Sequence, residues 1–173
     1  MIMAKIQTKK RKNRPMNPVD VQNDADYPIS ADALIRAVQT VLTAHGVSPQ
    51  SEVTVVITDD DEVQALNRQF RDVDAPTDIL SFPADAPPIP IPDEPPYLGD
   101  LIIAYPYAKA QAEKVGQDIQ QNLSLLVVHG TLHLLGYDHD TPENKAIMWQ
   151  KQAQALQTLG IPDSLVPPLE DEA

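Results

Sequence analysis

Three of the four histidines of this chain fall in one short stretch, His129-Gly-Thr-Leu-His133-Leu-Leu-Gly136-Tyr-Asp138-His139. Neutral imidazole binds zinc well and is the commonest metal-binding side chain. His129 and His133 are four residues apart, so a helix through them stacks both rings on one face. Gly136 can take the left-handed backbone that ends a helix, letting the chain turn back and bring His139 to the same point. Three nitrogen donors leave one tetrahedral position open, the layout of a catalytic zinc rather than of a closed structural one. A lone histidine on an apolar helix face is ordinarily a core residue whose ring N–H meets a carbonyl. Three at these spacings around a helix-ending glycine point to one metal centre.

The spacing also resembles the metzincin peptidase motif, His-Glu-x-x-His-x-x-Gly-x-x-His, with all three histidines and the glycine in register. Gly130 stands where that motif has its glutamate. The glutamate is the general base that takes a proton from the zinc water and passes it to the leaving amine. The ligands are therefore retained, while peptidase chemistry is not expected.

The elements that must hold this segment can be read from pattern. Ser30 is an N-cap for a helix whose stripe of Leu34, Ile35, Val38, Val41 and Leu42 ends at Gly46. Glu52 to Thr58 is β-branched and strand-like. Asp59 caps an acid-rich helix that turns Val63, Leu66 and Phe70 inward. Short strands are expected over Thr77 to Phe82 and Leu98 to Ala104, and a helix from about Tyr105 to Val115. The histidine helix spans about Ile119 to Leu135 and is largely buried through Leu123, Leu126, Val127 and Leu134. Thr141-Pro142-Glu143 starts a last helix that stops at Gly160. The expected fold is α+β: a small mixed sheet of about four strands packed with about five helices, including a zincin-like metal helix.

Three regions fall outside this pattern. Residues 1–28 are basic, then Pro/Asn/Asp-rich, and read as a flexible extension. A proline-rich loop is expected at 83–97, and 162–173 reads as a loose acidic tail. The single catalytic domain is then 29–161, a length that can bury a real core. Lys5, Lys9, Lys10, Arg11, Lys12 and Arg14 are six of the 13 basic residues, leaving 7 against 25 acidic ones in the remainder, a net of −18. An acidic body argues against broad, nonspecific nucleic-acid binding, which depends on phosphate neutralisation. A local basic patch or the N-terminal arm remains available for an RNA. The chain has no cysteine, in keeping with a reducing cytosol. It has no apolar run long enough for a membrane helix and no signal-peptide core. A cytoplasmic protein is expected.

Three segments together resemble the YbeY family of bacterial, metal-dependent endoribonucleases of rRNA maturation. They are the histidine stretch, Leu66-Asn67…Arg71…Pro76-Thr77-Asp78-Ile79-Leu80-Ser81-Phe82-Pro83, and Leu98-Gly99-Asp100-Leu101-Ile102-Ile103. The resemblance covers residues 30 to 160; the basic arm and the proline-rich stretch lie outside it. It implies that His129, His133 and His139 bind one zinc ion and that Arg71 acts on the RNA. A guanidinium suits that role, because it grips a phosphate at two points and keeps its charge; without the resemblance a surface ion pair is the alternative.

The expected activity is zinc-dependent cleavage of single-stranded RNA, serving 16S rRNA 3′-end maturation and ribosome quality control. Ribosome or small-subunit assembly components are the expected partners. Without a glutamate at 130, two nucleophiles stay open, the zinc water and the RNA 2′-hydroxyl. Two rival readings are a metallopeptidase-like hydrolase and a ribosome-associated protein with structural zinc. Asp138 either orients an imidazole or caps a turn. Asp78 and Asp100 either support strand ends near the site or close turns, and His45, at a helix end, is structural.

Overall fold

The computed structural model describes residues 17–85, 89 and 92–162. Its elements run β1 (Val19–Gln22), α1 (Ala31–Ala44), β2 (Glu52–Thr58), α2 (Asp60–Arg71), β3 (Ile79–Pro83), β4 (Tyr97–Ala104), α3 (Tyr105–Lys114), α4 (Ile119–Leu134) and α5 (Pro142–Leu159). The strands form one sheet in the order β1-β2-β4-β3. β1, β2 and β4 are parallel, and β3 pairs antiparallel with β4 at the edge. This is the α+β class expected, with a four-stranded mixed sheet and five helices among the described residues.

Local chemistry accounts for where the helices begin. The side chains of Ser30, Asp59, Asp118 and Thr141 each accept a hydrogen bond from a backbone N–H three residues on, satisfying a donor that a helix start leaves orphaned. Strand β2 alternates, with Val53, Val55 and Ile57 buried. Together with Leu101 and Ile103 of β4 these pack on Leu34, Val38 and Leu42 of α1 and Leu123, Leu126 and Val127 of α4. A smaller cluster forms on Val63, Leu80 and Ala104, flanked by Leu66, Phe82 and Ile102. Gly99, at the register shift between β2 and β4, has φ +141°, and a Cβ there would run into the Phe82 carbonyl. Only glycine allows the two backbones to come so close.

Two expectations need correction. The extension predicted over 1–28 does not run that far. Val19–Gln22 pairs in register with Val53–Val56, and Asn17 is buried with its side chain donating to the carbonyls of Ser48 and Ser51. Tyr27 stacks on Tyr105 at 4.6 Å between ring centroids. A partner strand supplies what the four-residue sequence does not announce. Residues 1–16, the centre of the proline-rich loop and the tail from 163 lie outside the described residues; Ala84, Asp85, Ile89 and 92–96 are neither helix nor strand. Phe70 is 60% exposed rather than inward, edge-on to Phe82 at 5.2 Å.

Candidate metal centre

Helix α4 is the spine of the molecule: 12 of its 16 residues are buried. His129, only 4% exposed, and the half-buried His133 share one face near its C-terminal end, as their spacing requires. Leu135 caps the helix and Gly136 follows at φ +98° with open space around it, so its glycine serves the backbone turn and not packing. The Tyr137 N–H closes back on the Leu132 carbonyl. Asp138 accepts from the His139 N–H at 2.8 Å, a contact within the turn, and its charge also bears on the His133 imidazole. The turn brings His139 over the other two rings, with centroids 5.4 Å from His129 and 5.2 Å from His133. One nitrogen from each histidine lies within 4.8 Å of the others.

The His133 ring is committed on one side. His133 Nδ1 lies 2.9 Å from the Tyr137 carbonyl oxygen. A carbonyl only accepts, so Nδ1 carries the hydrogen and Nε2 a lone pair. His129 Nδ1 lies 3.0 Å from Gln152 Oε1, and the two Nε2 atoms face each other at 3.1 Å. A tetrahedral zinc with bonds near 2.0–2.1 Å sets its donors roughly 3.3 Å apart. The donor set and its spacing therefore fit a metal ion.

Electrostatics agree. Burial pushes the His129 imidazole down to about 3, reinforced by the neighbouring His133 and opposed by the Gln152 contact. Burial also lowers His133, with the Tyr137 carbonyl opposing and His139 adding to the depression. Both rings are thus held neutral at physiological pH, the state a metal needs. Trp149 stands edge-on to His129 and His139, at 5.8 and 5.6 Å, and Lys145 lies over its ring.

The histidines form one wall of a cleft of about 400 Å³ whose other walls come from the end of α2, the loop after it and β3. Arg71 closes α2, where Asp72 takes a left-handed cap at φ +59° and Asn67 ties the following loop through a 2.8 Å bond to the Ala75 carbonyl. Arg71 Nη2 donates to the Ser81 carbonyl at 3.1 Å and makes no ion pair among the described residues. The surface ion pair considered for it is therefore absent there.

Other candidates lie elsewhere. Asp78 is buried at the start of β3, accepting from the Ile79 N–H. Asp100 is on β4, bonded by the Tyr97 hydroxyl and outside the cleft. His45 caps α1, bonded to the Val41 carbonyl and the Tyr137 hydroxyl, a structural placement. Gly130, at the peptidase glutamate position, faces the strands: a Cβ there meets the side-chain tips of Leu101, Ile79 and Ser81 at 2.8–3.1 Å. Sequence reasoning overlooked Gln152. Its signal was a polar residue in register with Met148, Ala155 and Leu156 on the core face of α5.

Comparison with known proteins agrees with this geometry. A profile of the family described as Endoribonuclease YbeY matches residues 20–160. A relative named Endoribonuclease YbeY from Chloroflexus aggregans is 43% identical over 148 residues, covering 83% of this chain and 97% of its own. Another of that name from Moorella thermoacetica is 42% identical, covering 79% of this chain and 93% of its own. The solution structure of a Thermotoga maritima protein shares the fold, with TM-score 0.57 at 23% identity over 82% of this chain and 88% of that one. On the family match and the identity across nearly the whole length of its relatives, the chain belongs to the YbeY family of endoribonucleases.

Proposed function

We propose that this protein is a zinc-dependent, single-strand-specific endoribonuclease acting in 16S rRNA 3′-end maturation and ribosome quality control, with RNA and small-subunit assembly components as partners. The observation that carries the reading is the pairing, across one cleft, of a three-histidine metal centre with Arg71. His129, His133 and His139 hold the ion. When bound, the metal supplies Lewis acidity toward a phosphoryl oxygen and an acidified water. Arg71 holds the phosphate and offsets the charge that grows on it in the transition state. Ser81 positions that guanidinium through its carbonyl.

Two features favour RNA over a peptide. Arg71 occupies a carbonyl on edge strand β3, a group that an extended peptide adding to the strand would have to use. Gly130 leaves little room for the glutamate of a peptidase. No helix among the described residues is long and apolar enough to cross a membrane, and a cytoplasmic site of action is part of the proposal.

The test is cleavage of matched single-stranded and duplex RNA by metal-stripped protein, before and after adding zinc, and again with a chelator. Cleavage of the single strand that appears with zinc and disappears with chelator is expected. Cleavage indifferent to both would overturn the proposal.

A further inference from the structure

Gln152 has none of its surface exposed and sits on α5 among that helix's core-facing residues. A primary amide can donate two hydrogen bonds and accept two. Here Oε1 meets His129 Nδ1 at 3.0 Å, while Nε2 is buried with no hydrogen-bond partner. An unsatisfied buried donor costs folding free energy, a cost that the amide carries alongside its bond to His129. What the amide does for His129 has to account for it.

Neutral imidazole carries one hydrogen on one of two nitrogens. For His133 the Tyr137 carbonyl fixes it on Nδ1. An amide can present either its oxygen or its NH2, so His129 has two arrangements. With the NH2 turned to Nδ1, the hydrogen lies on Nε2 and is donated across the 3.1 Å gap to His133 Nε2; that pair is closed to a metal. With Oε1 turned to Nδ1, the hydrogen lies on Nδ1 and both Nε2 lone pairs face one point. A glutamate, as an acceptor, supports only the second arrangement.

We propose that Gln152 is the positioning residue of the metal centre: its amide orientation selects the tautomer of His129, and so whether the three-histidine site is open to a metal or closed by a His129–His133 hydrogen bond. This rests on the metal reading of the site given above. A non-ionic partner also leaves the centre its full positive charge, which a carboxylate at the same place would partly offset.

The experiment measures Zn2+ and Co2+ affinity by chelator competition on metal-stripped wild type, Gln152→Leu and Gln152→Glu, with thermal unfolding of each metal-free form. Gln152→Leu is expected to bind about ten- to a hundredfold more weakly while its metal-free form still unfolds cooperatively. Gln152→Glu is expected to bind at least as tightly as wild type, and imidazole nitrogen NMR of its metal-free form to show the His129 hydrogen on Nδ1. Wild type that binds neither metal would sink the metal reading and this inference with it. Wild type that binds, beside a Gln152→Leu protein within about twofold of it, overturns the role of Gln152 and leaves the metal reading standing. If the leucine variant does not fold, the glutamate variant decides, and binding weaker than wild type counts against the proposal.

Discussion

Arg71 is fixed by the backbone carbonyl of Ser81, its Nη2 donating across 3.1 Å to an oxygen on edge strand β3. The side chain is exposed yet tethered, a charge held ready over the cleft and not a rotamer free in water. If it grips a phosphate, Arg71→Ala should lower RNA turnover by on the order of a hundredfold, the usual loss for one transition-state charge donor. Zinc content and Tm should hardly move. Arg71→Lys should rescue poorly, because an ammonium cannot make the planar two-point contact. Full cleavage by the alanine variant would make Arg71 a bystander.

Restoring the peptidase glutamate should fail. Gly130→Ala asks three side-chain tips to shift by tenths of an ångström, and about 1 kcal/mol of helix propensity offsets that strain, so its stability should stay near wild type. Gly130→Glu drives a carboxylate against packed strand side chains and should cost more than about 2 kcal/mol. Denaturant unfolding and a peptide-cleavage assay check both points. A stable Gly130→Glu protein that cuts peptides would show that there was room after all.

Metal-free protein should lose stability as pH falls below about 6.5. His129 sits at about 3 when folded and near 6.5 when unfolded. Above pH 6.5 both states are neutral and nothing is lost. Between the two values the unfolded chain takes up a proton that the native ring refuses, so stability falls with decreasing pH by up to about 1.4 kcal/mol per unit. His133 is lowered too and acts in the same direction. Urea unfolding at pH 7.5, 6 and 5 measures the slope, and His129→Asn should flatten it; an equal slope in the variant would assign the loss to other groups.

Truncation should separate the arm from the strand behind it. Removing 1–16 is expected to leave Tm nearly unchanged, since that segment lacks apolar periodicity. Removing 1–28 takes β1, the buried Asn17 and the Tyr27–Tyr105 stack as well. The two Asn17 side-chain bonds and the aromatic pair alone contribute about 3 kcal/mol, before the β1–β2 ladder is counted, so Tm should fall by on the order of 10 °C or more. Equal melting of both truncated proteins would mean that β1 adds nothing to the fold.

The three-histidine cluster was legible because its members lie in one segment and their convergence depends on helix pitch and one glycine, both local rules. The capped helices and the alternating strand β2 were legible for the same reason. β1 was not: Val19-Asp-Val-Gln22 is too short to carry a period, and only pairing with β2 makes it a strand. Phe70 kept helical register yet lies over Phe82 instead of under the sheet, which depends on where the α2 face ends. The carbonyls of Ser81 and Tyr137 hold Arg71 and His133. Every residue has a carbonyl, so no sequence pattern could have marked these two.

The burial of α4 divides the three-histidine cluster by its dynamics. Amides along 122–132 are enclosed on all sides and should exchange with solvent only when the whole domain opens. Those from Gly136 to Asp140 lie in a surface turn and should exchange through local opening alone. His129 and His139 thus belong to units of different stability although their ring nitrogens face one point. A metal bound between them would stitch the turn to the helix, and its arrival should be visible as slowed exchange at 136–140 with little change along 122–132.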